Sequence, residues 1–168
     1  MERIWVWGTG GPHILMENRY IDLWEADAYT EEQPLYYKTS KVDGEYIVKM
    51  SLGDGDCIVI GEEGFSTWVS CENGDGGILV ISICEEEGFD ENRFVETIRN
   101  IPDNEYNETG IEYIIFDSEL YLFPACDFRP GGYELYNEIH LIPGKYKIKI
   151  IEEYEFDGIF VLSKFVRV

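Results

Sequence analysis

Apolar and polar residues alternate in short runs along most of the chain, a pattern typical of half-buried β-strands. Runs of this kind predict strands at residues 4–7, 13–16, 20–24, 35–39, 45–52, 57–60, 67–70, 77–84, 111–116, 120–123, 138–142, 146–154 and 159–168. The turn sequences Asp43-Gly44, Pro143-Gly144 and Asp157-Gly158 separate several runs, and ENGDGG lies between the runs at 67–70 and 77–84. Such sequences favour tight reversals of the chain. The pattern therefore predicts mostly antiparallel sheet.

One segment has helical periodicity instead. From residue 91 onward, apolar side chains recur as Phe94, Ile98 and Ile101, at i, i+4 and i+7, which places them on one face of a helix. Asp90 is a suitable N-cap, and Pro102 ends the pattern. We expect a helix at about 91–100.

The composition agrees with a β-rich chain of ordinary domain size. Its 168 residues include 12 Tyr, 9 Phe and 4 Trp, and aromatic residues favour strands over helices. No repeat or low-complexity linker divides the sequence. We predict one domain over residues 1–168, mostly β (α+β), with antiparallel sheets in a sandwich or open barrel and one or two short helices.

The sequence WVWGTGGPHILM at residues 5–16 contains the most glycine-rich turn of the chain. A phosphate-binding loop would require a helix after the turn, with Lys-Ser/Thr following the last glycine or with the spacing G-x-G-x-x-G. Gly8, Gly10, Gly11 and Pro12 meet none of these requirements. We expect them to form a turn that joins strands 4–7 and 13–16 in a hairpin.

Negative charge is the most unusual property of the sequence. The chain has 34 acidic and 13 basic residues, a formal net charge of −21. Nucleic acids and anionic membranes are bound through positive charge, so neither is expected as a partner. A cationic partner remains possible, and a role in solubility alone is the simpler interpretation.

The acidic residues are concentrated in the middle of the chain. Residues 54–119 contain eighteen acidic residues and only two basic ones, Arg93 and Arg99. This segment is therefore the candidate surface for a cationic protein partner. The candidate residues are Asp54, Asp56, Glu62, Glu63, Glu72, Asp75, Glu85, Glu86 and Glu87.

Residues suited to catalysis or metal binding do not cluster in the sequence. His13 and His140 are the only histidines, and neither has the sequence context of a catalytic base, so structural or surface roles are expected. Asp54-Gly55-Asp56 resembles the start of a calcium loop, but Cys57 breaks the pattern and Phe65 stands at the position of the bidentate Glu. We predict no catalytic residue, metal or cofactor.

Cysteine spacing and the N-terminus indicate the expected compartment. The four cysteines form no C-x-x-C pair, which favours free thiols. The start MERIWVWG lacks the apolar core of a signal peptide, and no stretch approaches the ~20 apolar residues of a membrane span. A cytoplasmic location is expected. The cysteines are Cys57, Cys71, Cys84 and Cys126.

Aromatic, glycine and proline landmarks follow one another along the chain in a defined order. Near the start are Trp5 or Trp7, Gly10-Gly11-Pro12 and Trp24. The runs CIVIGE, STW and GGILV follow in the middle, and Leu122-Phe123 and Pro143-Gly144-Lys145-Tyr146 come near the end. This order resembles the immunity protein 21 family, bacterial proteins encoded beside polymorphic toxins. The landmarks are turn and core residues, so Trp5, Gly10, Gly11, Pro12, Trp24, Pro143 and Gly144 are interpreted as a structural signature.

The resemblance implies a protein that acts by binding. A member of this family would bind a cognate toxin in the producing cell and block it, without catalysis. The acidic segment would suit a basic toxin, because opposite charge accelerates encounter. Two other hypotheses remain open. One is a carbohydrate- or small-ligand-binding β module that uses the Trp and Tyr side chains, and the other is an enzyme that uses acidic residues.

Overall fold

Two antiparallel sheets pack face to face in the computed structural model, which describes residues 4–7, 11–24, 34–39, 42, 45–61, 64–125 and 136–168. The strands are β1 (Val6–Trp7), β2 (His13–Glu17), β3 (Ile47–Leu52), β4 (Gly55–Ile60), β5 (Phe65–Ser70), β6 (Gly76–Glu85), β7 (Asn107–Ile115), β8 (Glu119–Pro124), β9 (Asn137–His140), β10 (Gly144–Glu155) and β11 (Gly158–Arg167). The helices are α1 (Pro34–Thr39) and α2 (Glu91–Arg99), with 3-10 helices at Asn18–Leu23 and Asp103–Glu105. The prediction of a β-rich sandwich with short helices is confirmed.

The chain passes from one sheet to the other several times. Sheet A has the order β1-β5-β6-β11-β10-β7, and sheet B has the order β3-β4-β2-β8-β9. The two inner faces enclose one continuous apolar core, because alternate residues of each strand point inward. Its largest members include Leu15, Ile58, Trp68, Tyr113, Tyr146 and Phe165.

The prediction of a hairpin between residues 4–7 and 13–16 is wrong. β1 pairs with β5 of sheet A through Val6↔Ser66 and Trp7↔Phe65, whereas β2 lies in sheet B between β4 and β8. The glycine-rich segment therefore connects the two sheets. The Pro12 carbonyl accepts a hydrogen bond from the N–H of Ala125 (2.8 Å), which aligns the start of β2 with the end of β8. Gly8 and Gly10 lie outside the described residues.

Two further predicted strands are helical. Residues 18–23 form a 3-10 helix that brings the Tyr20 ring over Gly55, where an added Cβ would lie 2.2 Å from the Tyr20 hydroxyl. Residues 34–39 form α1, whose first residue is Pro34. Proline is favoured at this position because its missing N–H would have no intrahelical acceptor. The Asp43-Gly44 turn lies outside the part of the chain that the structure describes.

The predicted helix is confirmed at α2. The Asp90 carboxylate caps it, accepting hydrogen bonds from the N–H groups of Asn92 (3.0 Å) and Arg93 (3.1 Å). Phe94 and Ile98 are fully buried against the outer face of sheet A, and the Phe94 ring lies 4.3 Å from that of Phe160. Neither helix within the described ranges is long and apolar enough to cross a membrane.

The outer face of sheet B carries its own apolar layer. Trp24 is buried there and meets Phe123 edge to face, with the ring centroids 6.3 Å apart. Ile14, Met16 and Val59 complete the centre of this layer. Both sheets are therefore covered on their outer faces over part of their area.

Glu17 joins the two sheets at a corner. The β7–β8 connection passes from sheet A to sheet B, and the buried Glu17 carboxylate on β2 accepts hydrogen bonds there from the N–H of Phe116 (2.8 Å) and from the N–H of Asp117. Burial raises the pKa of Glu17 and outweighs these two hydrogen bonds, which lower it. The carboxylate thus fixes the corner at a cost in desolvation.

We expect Glu17→Ala to destabilise the fold and Glu17→Gln to preserve it. Alanine leaves two backbone donors without an acceptor, at about 1–3 kcal/mol each, whereas the glutamine carbonyl can still accept both. Because the raised pKa penalises the ionised form, Glu17→Gln should gain stability relative to wild type as pH rises above 4.5. Urea unfolding measures both effects. An equal loss of unfolding free energy in the two variants would show that accepting these two hydrogen bonds is not what stabilises the fold.

His13 is enclosed in the inter-sheet core. It lies on the same face of β2 as Leu15, is fully buried, and its two ring nitrogens have no hydrogen-bond partner among the described residues. Burial lowers its pKa to about 4. His140 is 68% exposed and its Nε2 lies 3.1 Å from the Glu138 carboxylate. The two histidines therefore occupy a core and a surface position, as expected.

Because the pKa of buried His13 is lowered, we expect the free energy of unfolding to decrease in acid. The unfolded chain binds a proton with a pKa near 6.5, whereas the folded protein resists protonation down to about 4. The free energy of unfolding should therefore fall by about 3 kcal/mol as pH drops through this interval. His13→Leu should lack this component in urea titrations between pH 7 and 4. An unchanged pH slope in the variant would show that another group is responsible.

Candidate partner-binding surface

The predicted acidic residues are divided between the two ends of the sandwich. β6 begins at Gly76, paired with Val166, and ends at Glu85, paired with Gly158. Ten strand residues span about 30 Å. Glu72 and Asp75, in the turn before β6, are thus far from Glu85, Glu86 and Glu87. The acidic segment is continuous in sequence, but its side chains form no single patch.

Asp54 and Asp56 are bound to neighbours in sheet B. Asp54, in the β3–β4 turn, accepts hydrogen bonds from the Arg19 guanidinium (2.5 Å) and the Tyr20 hydroxyl (2.8 Å), and the Arg19 bond lowers its pKa. The Arg19 guanidinium also lies over the Tyr20 ring at 4.5 Å. Asp56 lies 3.5 Å from the Lys49 ammonium. Much of the local charge is therefore matched within the protein.

The other candidate acids have varied settings. Glu72 and Asp75 are exposed in the β5–β6 turn. Glu62 and Glu63 lie outside the described residues. No group of three or more His, Cys, Asp or Glu side chains in the described part of the chain is placed to hold a metal ion. Glu72 also lines a groove of about 610 Å³ together with the basic residues Arg99 and Lys164, so basic side chains lie close to this acidic turn.

Glu85 ends a row of side chains that crosses the outer face of sheet A. Its carboxylate accepts a hydrogen bond from the Ser82 hydroxyl (2.8 Å), Ser82 pairs with Phe65, and Phe65 pairs with Trp7 on β1. Phe65 is 46% exposed and Trp7 is 57% exposed. Their rings are stacked, with centroids 6.1 Å apart and 22° between planes. The exposed aromatic pair therefore lies beside Ser82, whose hydroxyl is bound to the Glu85 carboxylate.

Two more acidic side chains adjoin this row. Glu86 and Glu87 are exposed in the loop between β6 and α2, and the N–H of Glu86 donates to the Asp157 carbonyl (2.9 Å). This bond ties the acidic loop to the β10–β11 turn. We define the aromatic-acidic surface as Trp7, Phe65, Glu85, Glu86 and Glu87.

The structural-signature residues have different positions. Trp5 packs beside α2 and donates its indole N–H to Glu91 Oε1 (3.2 Å), whereas Trp24 lies in the outer layer of sheet B. Pro143 and Gly144 lie where the chain passes from β9 to β10, and the Pro143 carbonyl accepts from Arg167 (3.0 Å). Gly11 lies in the connection to β2.

Sequence reasoning missed the aromatic half of the surface. From the sequence, Trp7 was named only as a landmark near the glycine-rich turn. Phe65 was named only as the residue that stands where a calcium loop would have its bidentate Glu. Trp5 and Trp7 are two positions apart in the strand predicted at residues 4–7, which places both on one face of that strand, and this spacing was the available signal. The pairing of β1 with β5, however, joins residues almost sixty positions apart.

Comparisons with known proteins identify no relative. No family model matches the chain, and no curated protein and no solved structure does so either.

Trp7 should account for most of the fluorescence that acrylamide can quench. Trp24 and Trp68 are 4% and 7% exposed, Trp5 is half-buried, and Trp7 is open to solvent. We expect Trp7→Phe to abolish most of the quenchable emission, and the matched control Trp68→Phe to leave it in place. A large quenchable fraction in the Trp7 variant would contradict the exposed stack.

Proposed function

We propose that this protein is a non-enzymatic immunity protein that binds a basic bacterial toxin in the producing cell and blocks it. The observation that carries the proposal is the stacked, exposed Trp7–Phe65 pair beside the carboxylates of Glu85, Glu86 and Glu87. Its further support is the net charge of −21 and the sequence resemblance to toxin immunity proteins.

Aromatic side chains supply binding energy at such a surface. Trp and Tyr are enriched among the residues that dominate interface affinity, because a large rigid ring buries much area at low conformational cost. The Trp7 and Phe65 rings already lie in a fixed stack, so little ordering is needed on binding. They can receive an apolar side chain or the face of an arginine.

The neighbouring carboxylates increase the association rate and select for cationic partners. Opposite charges on two partners accelerate their encounter and disfavour partners of the same charge. Glu86 and Glu87 are exposed, so a cationic partner can approach them without displacing an internal ion pair. Toxins that act on nucleic acids are basic for the same electrostatic reason. Binding at this surface would occupy the toxin without any chemical step.

The test uses the product of the long toxin gene expected immediately upstream. The two proteins should co-purify, and co-expression should restore growth to cells that produce the toxin. Absence of both effects would overturn the proposed function.

Variants separate the two halves of the aromatic-acidic surface. The triple reversal Glu85→Lys, Glu86→Lys and Glu87→Lys should slow association at least about tenfold in low salt, because steering reverses sign. Trp7→Ala should increase the dissociation rate about thirtyfold, because it removes an aromatic ring that anchors the partner. Both rates are measured by surface plasmon resonance, after thermal unfolding confirms an intact fold.

The control is Glu72→Lys with Asp75→Lys at the opposite end of sheet A. This variant should bind at nearly the wild-type rate. If it slows association and the Glu85–Glu87 reversal does not, the toxin binds the other end of the sandwich. Wild-type kinetics in both variants would leave the acidic residues as a solubility feature.

A further inference from the structure

A groove opens along the side of the sandwich where the outermost strands of the two sheets approach each other. It has a volume of about 850 Å³ and runs between β3 and the beginning of β7. Its lining includes Glu45, Ile47, Lys49, Ile111, Ile150 and Glu152. This groove is separate from the Trp7–Phe65 stack, which lies at the opposite edge of sheet A.

The floor of the groove continues the inter-sheet core. Ile47 and Ile150 belong to that core and are buried, while Tyr46 and Ile111 pack against it and stay half-buried. An apolar side chain entering from solvent would therefore rest on an existing apolar surface, and covering that surface favours binding.

One wall of the groove is a regular strand edge. β3 pairs with β4 without a register shift, from Ile47↔Ile60 to Leu52↔Gly55. On its other side, β3 pairs with no strand among the described residues. A strand edge of this kind presents a row of N–H and C=O groups that can pair with another chain.

The opposite wall is irregular. Gly110 has φ +76°, and the β7–β10 register shifts beside it. The Thr109 hydroxyl donates to the Ile148 carbonyl (2.6 Å) and accepts from the Ile111 N–H (3.1 Å), so the bulge is internally hydrogen-bonded. A bulged edge does not offer a regular ladder. An added strand would thus pair with β3 and cover β7 only with side chains.

The charge of the groove is negative at its rim. Among the described residues of its lining, Lys49 alone is basic, and its ammonium lies 3.5 Å from the Asp56 carboxylate. Glu108 lies 3.1 Å from the Lys149 ammonium, on the outer face. Glu45 and Glu152 remain as exposed carboxylates at the groove. Their charge complements a basic occupant.

We propose that this groove binds an extended, basic segment of a partner protein, which adds to β3 as a sixth strand of sheet B. Its apolar side chains lie on Ile111 and Ile150, whereas its alternate basic side chains point away from the groove and are attracted by the nearby exposed carboxylates of Glu45 and Glu152. About five or six residues suffice, because β3 itself is six residues long. This strand addition does not depend on toxin binding by the aromatic-acidic surface.

The probe is the capped hexapeptide KVKVKV, titrated into the full protein labelled with ¹⁵N. We expect saturable binding that shifts the amide signals of residues 47–51. Two further peptides carry N-methyl groups on the three valines or on the three lysines, and one of the two should bind at least tenfold more weakly, because alternate N–H groups of a strand point to the same side and only one set can donate to β3. No binding at millimolar peptide, or binding of both methylated peptides equal to that of the parent, would overturn strand addition.

Charge variants provide the second arm. Glu45→Lys with Glu152→Lys should weaken KVKVKV binding at least tenfold, and EVEVEV should not bind the wild type. The control Glu72→Lys with Asp75→Lys changes the net charge equally at a distant turn and should bind KVKVKV as the wild type does. An equal loss in both double variants would show general attraction to an acidic protein and would overturn the assigned site. Toxin binding is measured separately, so either proposal can fail alone.

Discussion

The hydrogen bonds from the β7–β8 corner to the Glu17 carboxylate hold together the two halves of the structure. β7 is an outer strand of sheet A and β8 is an inner strand of sheet B, so the chain must leave one sheet and enter the other at this corner. The backbone N–H groups of Phe116 and Asp117 cannot belong to either ladder there, and Glu17 on β2 accepts both. A side chain thus supplies the acceptor that the missing strand pairing would have provided.

The same crossing recurs elsewhere and explains why the core is shared by both sheets. β1 is followed by β2, and β4 by β5, each time in the other sheet, and β9 is followed by β10 in the same way. Neither sheet can be completed from one continuous segment. The inter-sheet apolar core, with Trp68 from sheet A and Leu15 from sheet B, must therefore form together with the sheets. Folding dominated by such distant pairings is slow compared with folding of local hairpins.

This topology decides what the sequence could reveal. The β10–β11 hairpin with its Asp157-Gly158 turn, the β5–β6 hairpin and α2 with its Asp90 cap depend on local signals, and all three were predictable. The partner of β1 was not, because Val6 pairs with Ser66 through the whole fold. The helical segments at 18–23 and 34–39 were missed since their alternation also fits short strands, and contacts such as Tyr20 over Gly55 decided the outcome. The acidic candidates could be counted from the sequence, but the stack of Trp7 on Phe65 could not.

The separation of the acidic ends limits what net charge alone can do. At physiological ionic strength a charge is screened within ~8 Å, far less than the ~30 Å length of β6. A cationic partner near Glu85–Glu87 is therefore attracted by those carboxylates, whereas the attraction by Glu72 and Asp75 is almost fully screened. Selectivity between the two ends must come from what stands beside each acidic group. Glu72 lines a groove together with the basic residues Arg99 and Lys164, whereas Glu85 lies near the exposed stack of Phe65 and Trp7. Local surroundings, more than the total of −21, distinguish one acidic end from the other as an interface.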